Sequence, residues 1–403
     1  MADNPPEIRI AVIGNVDSGK TTTTSVITGD ILDDGKGAAR THILKHPHEK
    51  NSGRTSSIAQ SIISRNHKIF TFVDLAGHEK YLKTTVSGLN GYFIDYAIVV
   101  IGADRGIIGM TKEHLIVAMS LKIPVIIVIT KIDVAVDTKL DRIRKRLNVI
   151  FSGSFAGKKH LKYANDDTIN DIINTYNPDN KMTPVFEISN KTGDNIGNMK
   201  NFIFSLTSLK IIGNVNSKNP KFVIDSRFKL PGVGLVVTGL VQDGLFLKNK
   251  EYFLGPFNST FKKVSIRSVH NNFKENVEKL KSGEGGCFNI KFLNPKEKVD
   301  IDAIRKGHLL VAQPSSFTKF KAQVEILHHP TTIKTKYEPT IHCGIVRQVA
   351  TITEMDHPLI RTGDKANVIF NFKYHPEYIE VGDQITFREG RTKGIGVVTE
   401  ILS

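Results

Sequence analysis

The feature that most constrains this chain is a glycine-rich octapeptide directly after a short apolar run. Residues 14–21 read GNVDSGKT and match the pattern G-x-x-x-x-G-K-[ST] at every fixed position. The glycines let the backbone curl so that successive N–H groups face a phosphate, and a helix that begins at such a loop adds positive potential. We therefore predict a nucleotide phosphate site formed by Gly14, Asn15, Val16, Asp17, Ser18, Gly19, Lys20 and Thr21.

Two side chains of this loop have defined chemical tasks in such a site. Lys20 would reach the β- and γ-phosphates and stabilise the charge that moves during phosphoryl transfer, and the Thr21 hydroxyl would hold Mg²⁺. The segment DLAGH follows a predicted strand at residues 68–73. Asp74 of this segment would hold Mg²⁺ through water, and the Gly77 amide would contact the γ-phosphate.

Two further residues are candidates for the hydrolysis step. His78 comes directly after Gly77, so its imidazole could orient the attacking water by position and charge. Residues 29–60 show no firm periodicity, and a loop of this length is usually functional or mobile. Thr55 is our candidate for the residue that joins Mg²⁺ only when the γ-phosphate is present. The predicted catalytic set is His78, Lys20 and Thr55.

The identity of the base is predicted by the segment TKID, which ends a buried strand at residues 124–129. A carboxylate at Asp133 can accept hydrogen bonds from N1–H and the 2-amino group of guanine, whereas adenine offers neither group. The methylene stem of Lys131 can lie along the base. The triplet SNK follows another strand and would contact the base O6 through its backbone. We predict GTP as ligand, with base-site residues Thr130, Lys131, Asp133, Ser189, Asn190 and Lys191.

The order of short apolar runs and amphipathic stretches predicts the fold. Strands and helices alternate in residues 1–212, which is typical of a doubly wound, mostly parallel sheet. A polar linker at residues 213–220 precedes short strands separated by Gly, Pro and Asn turns, which is typical of antiparallel barrels. We expect an α/β P-loop GTPase domain (1–212) and two antiparallel β-barrel domains (221–314 and 315–403). Six phenylalanines are expected in the barrel cores: Phe222, Phe228, Phe288, Phe292, Phe370 and Phe372.

Composition narrows the class of protein. No apolar run approaches the length of a membrane span, residues 1–6 lack a secretion signal, and the chain has two cysteines. We expect a cytoplasmic monomer without membrane or DNA partners. The net charge is +15, and residues 213–403 hold 28 basic and 19 acidic side chains, a net +9. This excess suits a polyanionic partner and equally suits solubility alone.

The same elements, in the same order, resemble the translational GTPases of the elongation factor Tu type. Residues 231–239 (PGVGLVVTG), 304–311 (IRKGHLLV) and 388–398 (REGRTKGIGVV) are similar to that family's barrel segments. Residues 44–57 (LKHPHEKNSGRTSS) resemble the branch that contains GTP-binding protein 1. Four departures bear on the site. Asn15 replaces a histidine, Ala76 replaces a proline, and Thr130 replaces an asparagine that braces the base loop. Arg54 replaces an apolar residue that helps to screen the catalytic histidine in many members.

This resemblance implies partners and further residues. It implies binding of aminoacyl-tRNA across all three domains, delivery to the ribosome, which triggers hydrolysis, and an exchange factor as an open possibility. It implies a monovalent cation at Asp17. It also implies tRNA contacts from Tyr81 and Lys83 near the tRNA 5′ end and from Gly390 and Arg391 at the T-stem.

Two alternatives keep the guanine site. One is a regulatory GTPase that switches a protein partner and never binds RNA. The other is the GTPase subunit of a sulfate-activating enzyme with the same three-domain architecture, because a fold does not determine a function. RNA binding would depend steeply on salt and would require residues 213–403.

Overall fold

The computed structural model of the 403-residue chain describes residues 5–42, 59–75, 77, 94–153, 159–209, 215–257, 259–272, 274–297, 299–344, 346–389 and 392–402. The chain divides into two compact units, Met1–Lys210 and Ile211–Ser403. Six residues with a predicted role lie outside the described residues: Thr55, His78, Tyr81, Lys83, Gly390 and Arg391.

The first unit contains a seven-stranded sheet in the order β2-β3-β1-β4-β5-β7-β6. Its strands pair in parallel except for β2, which pairs antiparallel with β3. The strands are β1 (Glu7–Gly14), β2 (Ala59–Arg65), β3 (Lys68–Asp74), β4 (Tyr96–Gly102), β5 (Val125–Thr130), β6 (His160–Ala164) and β7 (Met182–Glu187). The helices are α1 (Lys20–Gly29), α2 (Gly109–Ser120), α3 (Asp137–Ser152), α4 (Ile169–Thr175) and α5 (Ile196–Ser205).

Helices cover both faces of this sheet, which explains the unbroken apolar runs. Every residue of β1, β4 and β5 is buried, as expected for strands between two helical layers. Alternate residues of one strand enter different cores. Ile10 belongs to the core that includes residues of α1, α4 and α5, whereas Ile13 belongs to the core with α2 and α3. The predicted doubly wound fold is confirmed.

The first part of the second unit is a barrel of six antiparallel strands. The sheet runs in the order β11-β16-β8-β9-β15-β12-β13, and pairing of β11 with β12 closes it. A short sheet of β10 and β14 accompanies it. The strands are β8 (Lys221–Leu230), β9 (Gly234–Asp243), β10 (Leu245–Leu247), β11 (Glu251–Phe257), β12 (Thr260–Asn271), β13 (Asn276–Val277), β14 (Lys279–Lys281), β15 (Gly285–Phe292) and β16 (Leu309–Val311).

The second part of this unit is another closed antiparallel barrel, in the order β17-β20-β19-β18-β21-β22. Its strands alternate buried and exposed residues, because one face of each strand points into the barrel. Two antiparallel barrels therefore follow the α/β domain, as predicted. The strands are β17 (Lys319–His328), β18 (Thr340–Cys343), β19 (Val346–Met355), β20 (Lys365–Phe372), β21 (Gln384–Glu389) and β22 (Thr392–Leu402).

Five of the six phenylalanines expected in barrel cores are buried. The prediction for Phe228 was wrong, because this side chain is 48% exposed. Phe228 pairs with Val236 near the end of the β8–β9 hairpin, beyond a register shift between Ile224 and Ser226. The hairpin end extends past the closed part of the barrel, so its apolar side chains reach solvent. Within the described ranges, no helix has the length and apolar character needed to cross a membrane.

Candidate nucleotide site

The carboxyl ends of the central strands lie side by side at one edge of the sheet. The register pairs Gly14 with Val100 and Gly102 with Thr130, so the loops that follow β1, β4 and β5 are neighbours. Ligands of open α/β sheets bind at this edge. Four segments contribute to the candidate site: the phosphate loop (residues 14–21), the β4–α2 turn (102–106), the base loop (130–133) and the second base loop (189–191).

The phosphate loop has the backbone that its sequence predicts. Gly14 and Gly19 have φ values of 145° and 90°, and Asp17 adopts a left-handed φ of 60°. A Cβ at Gly14 would clash with the carbonyl oxygen of Val100 on the neighbouring strand, so this position requires glycine. α1 begins at Lys20, directly after the loop, and the N–H groups of its first turn form the positive end of a helix dipole.

Lys20 lies inside the phosphate loop. Its Nζ donates a 2.7 Å hydrogen bond to the Asn15 carbonyl oxygen. Burial lowers the pKa of Lys20, while the charges of Asp74 and Asp17 raise it. A buried ammonium group with carboxylates nearby can stabilise negative charge in the loop more strongly than an exposed lysine, because water screens it less.

The Thr21 hydroxyl and the Asp74 carboxylate meet below the phosphate loop. The Thr21 Oγ1 donates a 2.5 Å hydrogen bond to the Asp74 Oδ2, and Asp74 is almost fully buried at the end of β3. A hydroxyl and a carboxylate oxygen at one point are the ligand types that Mg²⁺ prefers. The two residues predicted from separate motifs therefore lie together and fit a magnesium ion.

Gly77 packs directly against the phosphate loop. A Cβ at this position would lie 2.7 Å from the Gly14 carbonyl oxygen and 2.8 Å from the Asn15 carbonyl carbon, and would clash with Lys20 Nζ. Only glycine lets the backbone approach this closely. The D-x-x-G segment therefore reaches the loop at both of its fixed residues.

The base loop and the second base loop are joined by a side-chain hydrogen bond. The Ser189 hydroxyl donates to the Asp133 Oδ1 at 2.7 Å, and Ser189 is fully buried. Backbone N–H groups of Lys191 and Thr192 donate to the same hydroxyl at 3.2 and 3.1 Å. This arrangement fixes one carboxylate oxygen of Asp133 and so orients the other.

Lys131 has a partner that the sequence did not indicate. It adopts a left-handed φ of 61°, and its Nζ donates a 2.9 Å hydrogen bond to the Asp104 Oδ2 in the β4–α2 turn. Both side chains are about one third exposed. The ion pair therefore holds the lysine stem at the rim of the site, where a base could lie along it.

Thr130 and Asn190 tie the two base loops to the phosphate loop and to α1 through hydrogen bonds. The Thr130 Oγ1 donates a 2.7 Å hydrogen bond to the Ser18 carbonyl oxygen, so Thr130 ties the base loop to the phosphate loop. The Asn190 side chain does not extend outward. Its Nδ2 donates to the Thr23 Oγ1 on α1 at 2.9 Å, and the backbone carbonyl oxygen of Asn190 accepts the Asp33 N–H at 2.8 Å.

His114 is a residue of the site that sequence reasoning missed. Its Nδ1 accepts the Gly14 N–H at 3.2 Å, and the imidazole is fully buried on α2. Burial first, and then the charge of Lys20, lower the pKa of His114 to about 4. The imidazole is therefore neutral near pH 7. A lone histidine on a helix carries no sequence signal for such a contact.

Arg105 is the second residue that the motifs did not reveal. Its Nη2 lies 3.3 Å from the Asp17 Oδ2 in the phosphate loop. The β4–α2 turn thus sends Asp104 to the base loop and Arg105 to the phosphate loop. Turn residues between two recognised motifs give no periodic signal, so only the fold brings them to the site.

Comparisons with known proteins agree with this geometry. A family model described as the elongation factor Tu GTP binding domain matches residues 6–209, and one described as the elongation factor Tu C-terminal domain matches residues 313–402. GTP-binding protein 1 of Xenopus laevis is 37% identical over 98% of this chain and 64% of that protein. This chain therefore spans less than two thirds of that relative.

Two further comparisons extend the likeness to elongation factors. Elongation factor 1-alpha of Methanospirillum hungatei is 27% identical over 98% of this chain and 91% of that protein. The crystal structure of translation elongation factor SelB from Methanococcus maripaludis, in complex with the GTP analogue GppNHp, shares the fold. Its TM-score is 0.72 at 23% identity, and the match covers all of this chain and 80% of that one. By its family models and its relative at 37% identity, the chain belongs to the GTPases of the elongation factor Tu type.

Proposed function

We propose that this chain binds GTP with Mg²⁺ and acts in translation as a GTP/GDP switch that binds aminoacyl-tRNA and the ribosome. The observation that carries the proposal is the meeting of two hydrogen-bonded pairs at one sheet edge. Thr21 pairs with Asp74 at the phosphate end, and Asp133 pairs with Ser189 at the base end. A nucleoside triphosphate is the ligand that uses both ends.

The phosphate end suits Mg²⁺ and a triphosphate. Thr21 and Asp74 would hold the ion, with Thr55 as the proposed third residue. A Mg²⁺ ion held there would help to neutralise the negative charge of the phosphates. Lys20 and the backbone N–H groups of the phosphate loop would bind the phosphates themselves. The close packing of Gly77 on the loop supports its proposed contact with the γ-phosphate.

The base end suits guanine. One Asp133 oxygen is committed to Ser189, and the carboxylate as a whole can accept the two N–H groups on the guanine edge. Lys131, held by Asp104, would lie along the base. The backbone of residues 189–191 would contact the base O6. For hydrolysis we propose that His78 orients the attacking water, and that Lys20 and Thr55 stabilise the charge that moves.

Family membership and net charge support the proposed tRNA and ribosome partners. One relative of this chain is elongation factor 1-alpha, which favours translation over a regulatory GTPase or a sulfate-activating subunit. The barrel unit is basic, as a tRNA-binding surface requires. We propose tRNA contacts at Tyr81, Lys83, Gly390 and Arg391, a cytoplasmic location and a monomer; an exchange factor is a further possible partner. A monovalent cation at Asp17 is also implied, but Arg105 already lies at that carboxylate.

A nucleotide-dependent tRNA binding assay tests this function. Charged and uncharged tRNA are titrated against the full chain with GTP or GDP and Mg²⁺, at several salt concentrations. We expect charged tRNA to bind with GTP, to bind more weakly with GDP, and to weaken steeply as salt rises. Ribosomes are expected to accelerate GTP hydrolysis.

Two outcomes would reject the translational role. Equal binding of charged tRNA with GTP and GDP would show that the nucleotide does not switch the RNA site. A hydrolysis rate unchanged by ribosomes, in a chain that binds GTP normally, would favour the regulatory GTPase. Hydrolysis of GTP in the absence of RNA serves as the control that the nucleotide site is intact.

A further inference from the structure

An acidic side chain inside the phosphate loop creates an electrostatic problem. Asp17 is the one carboxylate in residues 14–21. The backbone N–H groups of such a loop attract phosphates, whereas a carboxylate among them repels phosphates. This repulsion grows when a bound nucleotide excludes water, because the local dielectric falls. The loop therefore needs a positive charge beside Asp17.

Arg105 carries a positive charge to that position. Its Nη2 lies 3.3 Å from the Asp17 Oδ2. The charge of Lys20 also acts on Asp17, but Lys20 is the group that the phosphates themselves would bind. Arg105 comes from a different strand end and has no motif-assigned task. Arg105 can therefore compensate the charge of Asp17 while Lys20 binds the phosphates of the nucleotide.

Hydrogen bonds hold the backbone at Arg105 in place, so the contact with Asp17 costs little backbone conformational entropy. The Arg105 N–H and the Gly106 N–H both donate to the Gly102 carbonyl oxygen, at 3.2 and 2.8 Å. The Ala103 N–H donates to the Thr130 carbonyl oxygen at 2.9 Å, so the β4–α2 turn is tied to the base loop. Only the Arg105 and Asp17 side chains must be ordered.

We propose that the Arg105 guanidinium is the resident counter-charge of Asp17 and replaces the monovalent metal ion that the family resemblance implies there. Arg105 is a positioning residue, since it acts on the phosphates through Asp17. GTP binding and hydrolysis then need Mg²⁺ but no potassium or sodium ion. The inference concerns the nucleotide site alone and does not depend on the proposed tRNA or ribosome partners.

Folding stability cannot separate this role from that of an ordinary surface ion pair. The Arg105 and Asp17 side chains are 53% and 38% exposed, and an ion pair of this kind contributes little to folding stability. The dependence of GTP binding on the cation in the buffer does separate them. A surface ion pair has no reason to change which monovalent salt the nucleotide site requires.

The test measures GTP and GDP dissociation constants and single-turnover hydrolysis of the full chain with Mg²⁺. Potassium, sodium and tetramethylammonium chloride are compared at equal ionic strength. Wild type is expected to give the same values within about twofold in all three salts. Arg105→Ala should weaken GTP binding about fivefold in tetramethylammonium, affect GDP less, and recover in part in potassium or sodium.

Three variants serve as controls. Arg105→Lys keeps the charge and should stay near wild type. Asp17→Asn combined with Arg105→Ala removes the carboxylate that needs compensation, so it should relieve the defect of Arg105→Ala. Arg65→Ala removes an ion pair of similar exposure with Asp30, at the far end of α1, and should leave the cation dependence unchanged. Urea unfolding checks that each variant is folded.

The results that overturn the proposal are distinct. A wild-type protein that requires potassium or sodium would mean that a metal ion, not Arg105, compensates Asp17. An Arg105→Ala variant that equals wild type in all three salts would reduce the contact to a surface ion pair. A defect that Asp17→Asn does not relieve would mean that Arg105 acts elsewhere.

Discussion

The Thr130 hydroxyl donates a 2.7 Å hydrogen bond to the carbonyl oxygen of Ser18, so one side chain joins the base loop to the phosphate loop. Thr130 is fully buried. Its position is where the family resemblance implies an asparagine brace. In this chain the shorter threonine side chain forms a bond between the two loops.

Removing this hydroxyl should loosen the nucleotide site without unfolding the first unit. We expect Thr130→Ala to weaken GTP and GDP binding by about tenfold, which corresponds to the ~1–1.5 kcal/mol of one buried hydrogen bond. Thr130→Ser keeps the hydroxyl and should remain within about threefold of wild type. Titration with a fluorescent nucleotide measures both. Equal affinities for Thr130→Ala and wild type would show that the bond does not organise the site.

The carboxylate of Asp133 should decide which base is bound. We expect Asp133→Asn to weaken GTP binding by about a hundredfold, because two hydrogen bonds to a charged acceptor are lost. Binding of xanthosine triphosphate should improve, since the new amide can donate to the xanthine 2-oxo group. Competition between the two triphosphates measures the preference, and unchanged selectivity would remove Asp133 from the base site.

The Ser189 hydroxyl holds the Asp133 carboxylate, and its removal tests how much this contact contributes to base binding. Ser189→Ala removes the donor to Asp133 but leaves the carboxylate in place, so a loss of less than about tenfold in GTP affinity is expected. The guanine preference should remain. A switch in base preference for this variant would mean that the serine itself contacts the base.

The close packing of Gly77 on the phosphate loop predicts a strong effect of a single methyl group. Gly77→Ala should weaken GTP binding much more than GDP binding, because the new Cβ would collide with Lys20 and the Gly14 carbonyl, where the γ-phosphate is proposed to bind. Gly109→Ala is the matched control, since a Cβ there has nothing within 4 Å. Equal losses for GTP and GDP would argue against a γ-phosphate contact.

The sequence predicts those parts of the fold whose signals lie within one short segment of the chain. The apolar runs predict β1, β4 and β5, and the octapeptide predicts the phosphate loop, because these signals are local. The edge strand β2 escaped prediction, since its Ser61 and Ser64 interrupt the apolar run. Short β6 and α4 were missed as well, because elements of five and seven residues carry too little periodicity.

The motifs name the candidate residues of the site but do not show which contacts hold them in place. Thr21 and Asp74 come from separate motifs and do meet, because β1 and β3 pair in parallel. Asp104, Arg105 and His114 act through contacts that only the fold creates. The exposed position of Phe228 likewise depends on where the barrel closes, which composition cannot indicate.

The buried imidazole of His114 should make the first unit sensitive to acid. Its pKa in the folded chain is about 4, against about 6.5 when unfolded. Between these values the unfolded chain binds a proton that the folded chain does not, so stability falls as pH drops from 6.5 towards 4 and is fully present above 6.5. The difference corresponds to about 3 kcal/mol.

Urea unfolding at pH 5 and pH 7.5 measures how much the free energy of unfolding of the first unit falls in acid. His114→Asn offers an oxygen near the place of Nδ1 and cannot titrate, so the variant should lose part of the pH dependence that wild type shows. His308→Asn is the control, because the pKa of His308 is also about 4 but this residue lies in the second unit. It should change the pH dependence of the second unit alone. A wild-type first unit equally stable at both pH values, or an unaltered pH dependence in His114→Asn, would mean that the imidazole titrates normally and is not held neutral beneath the phosphate loop.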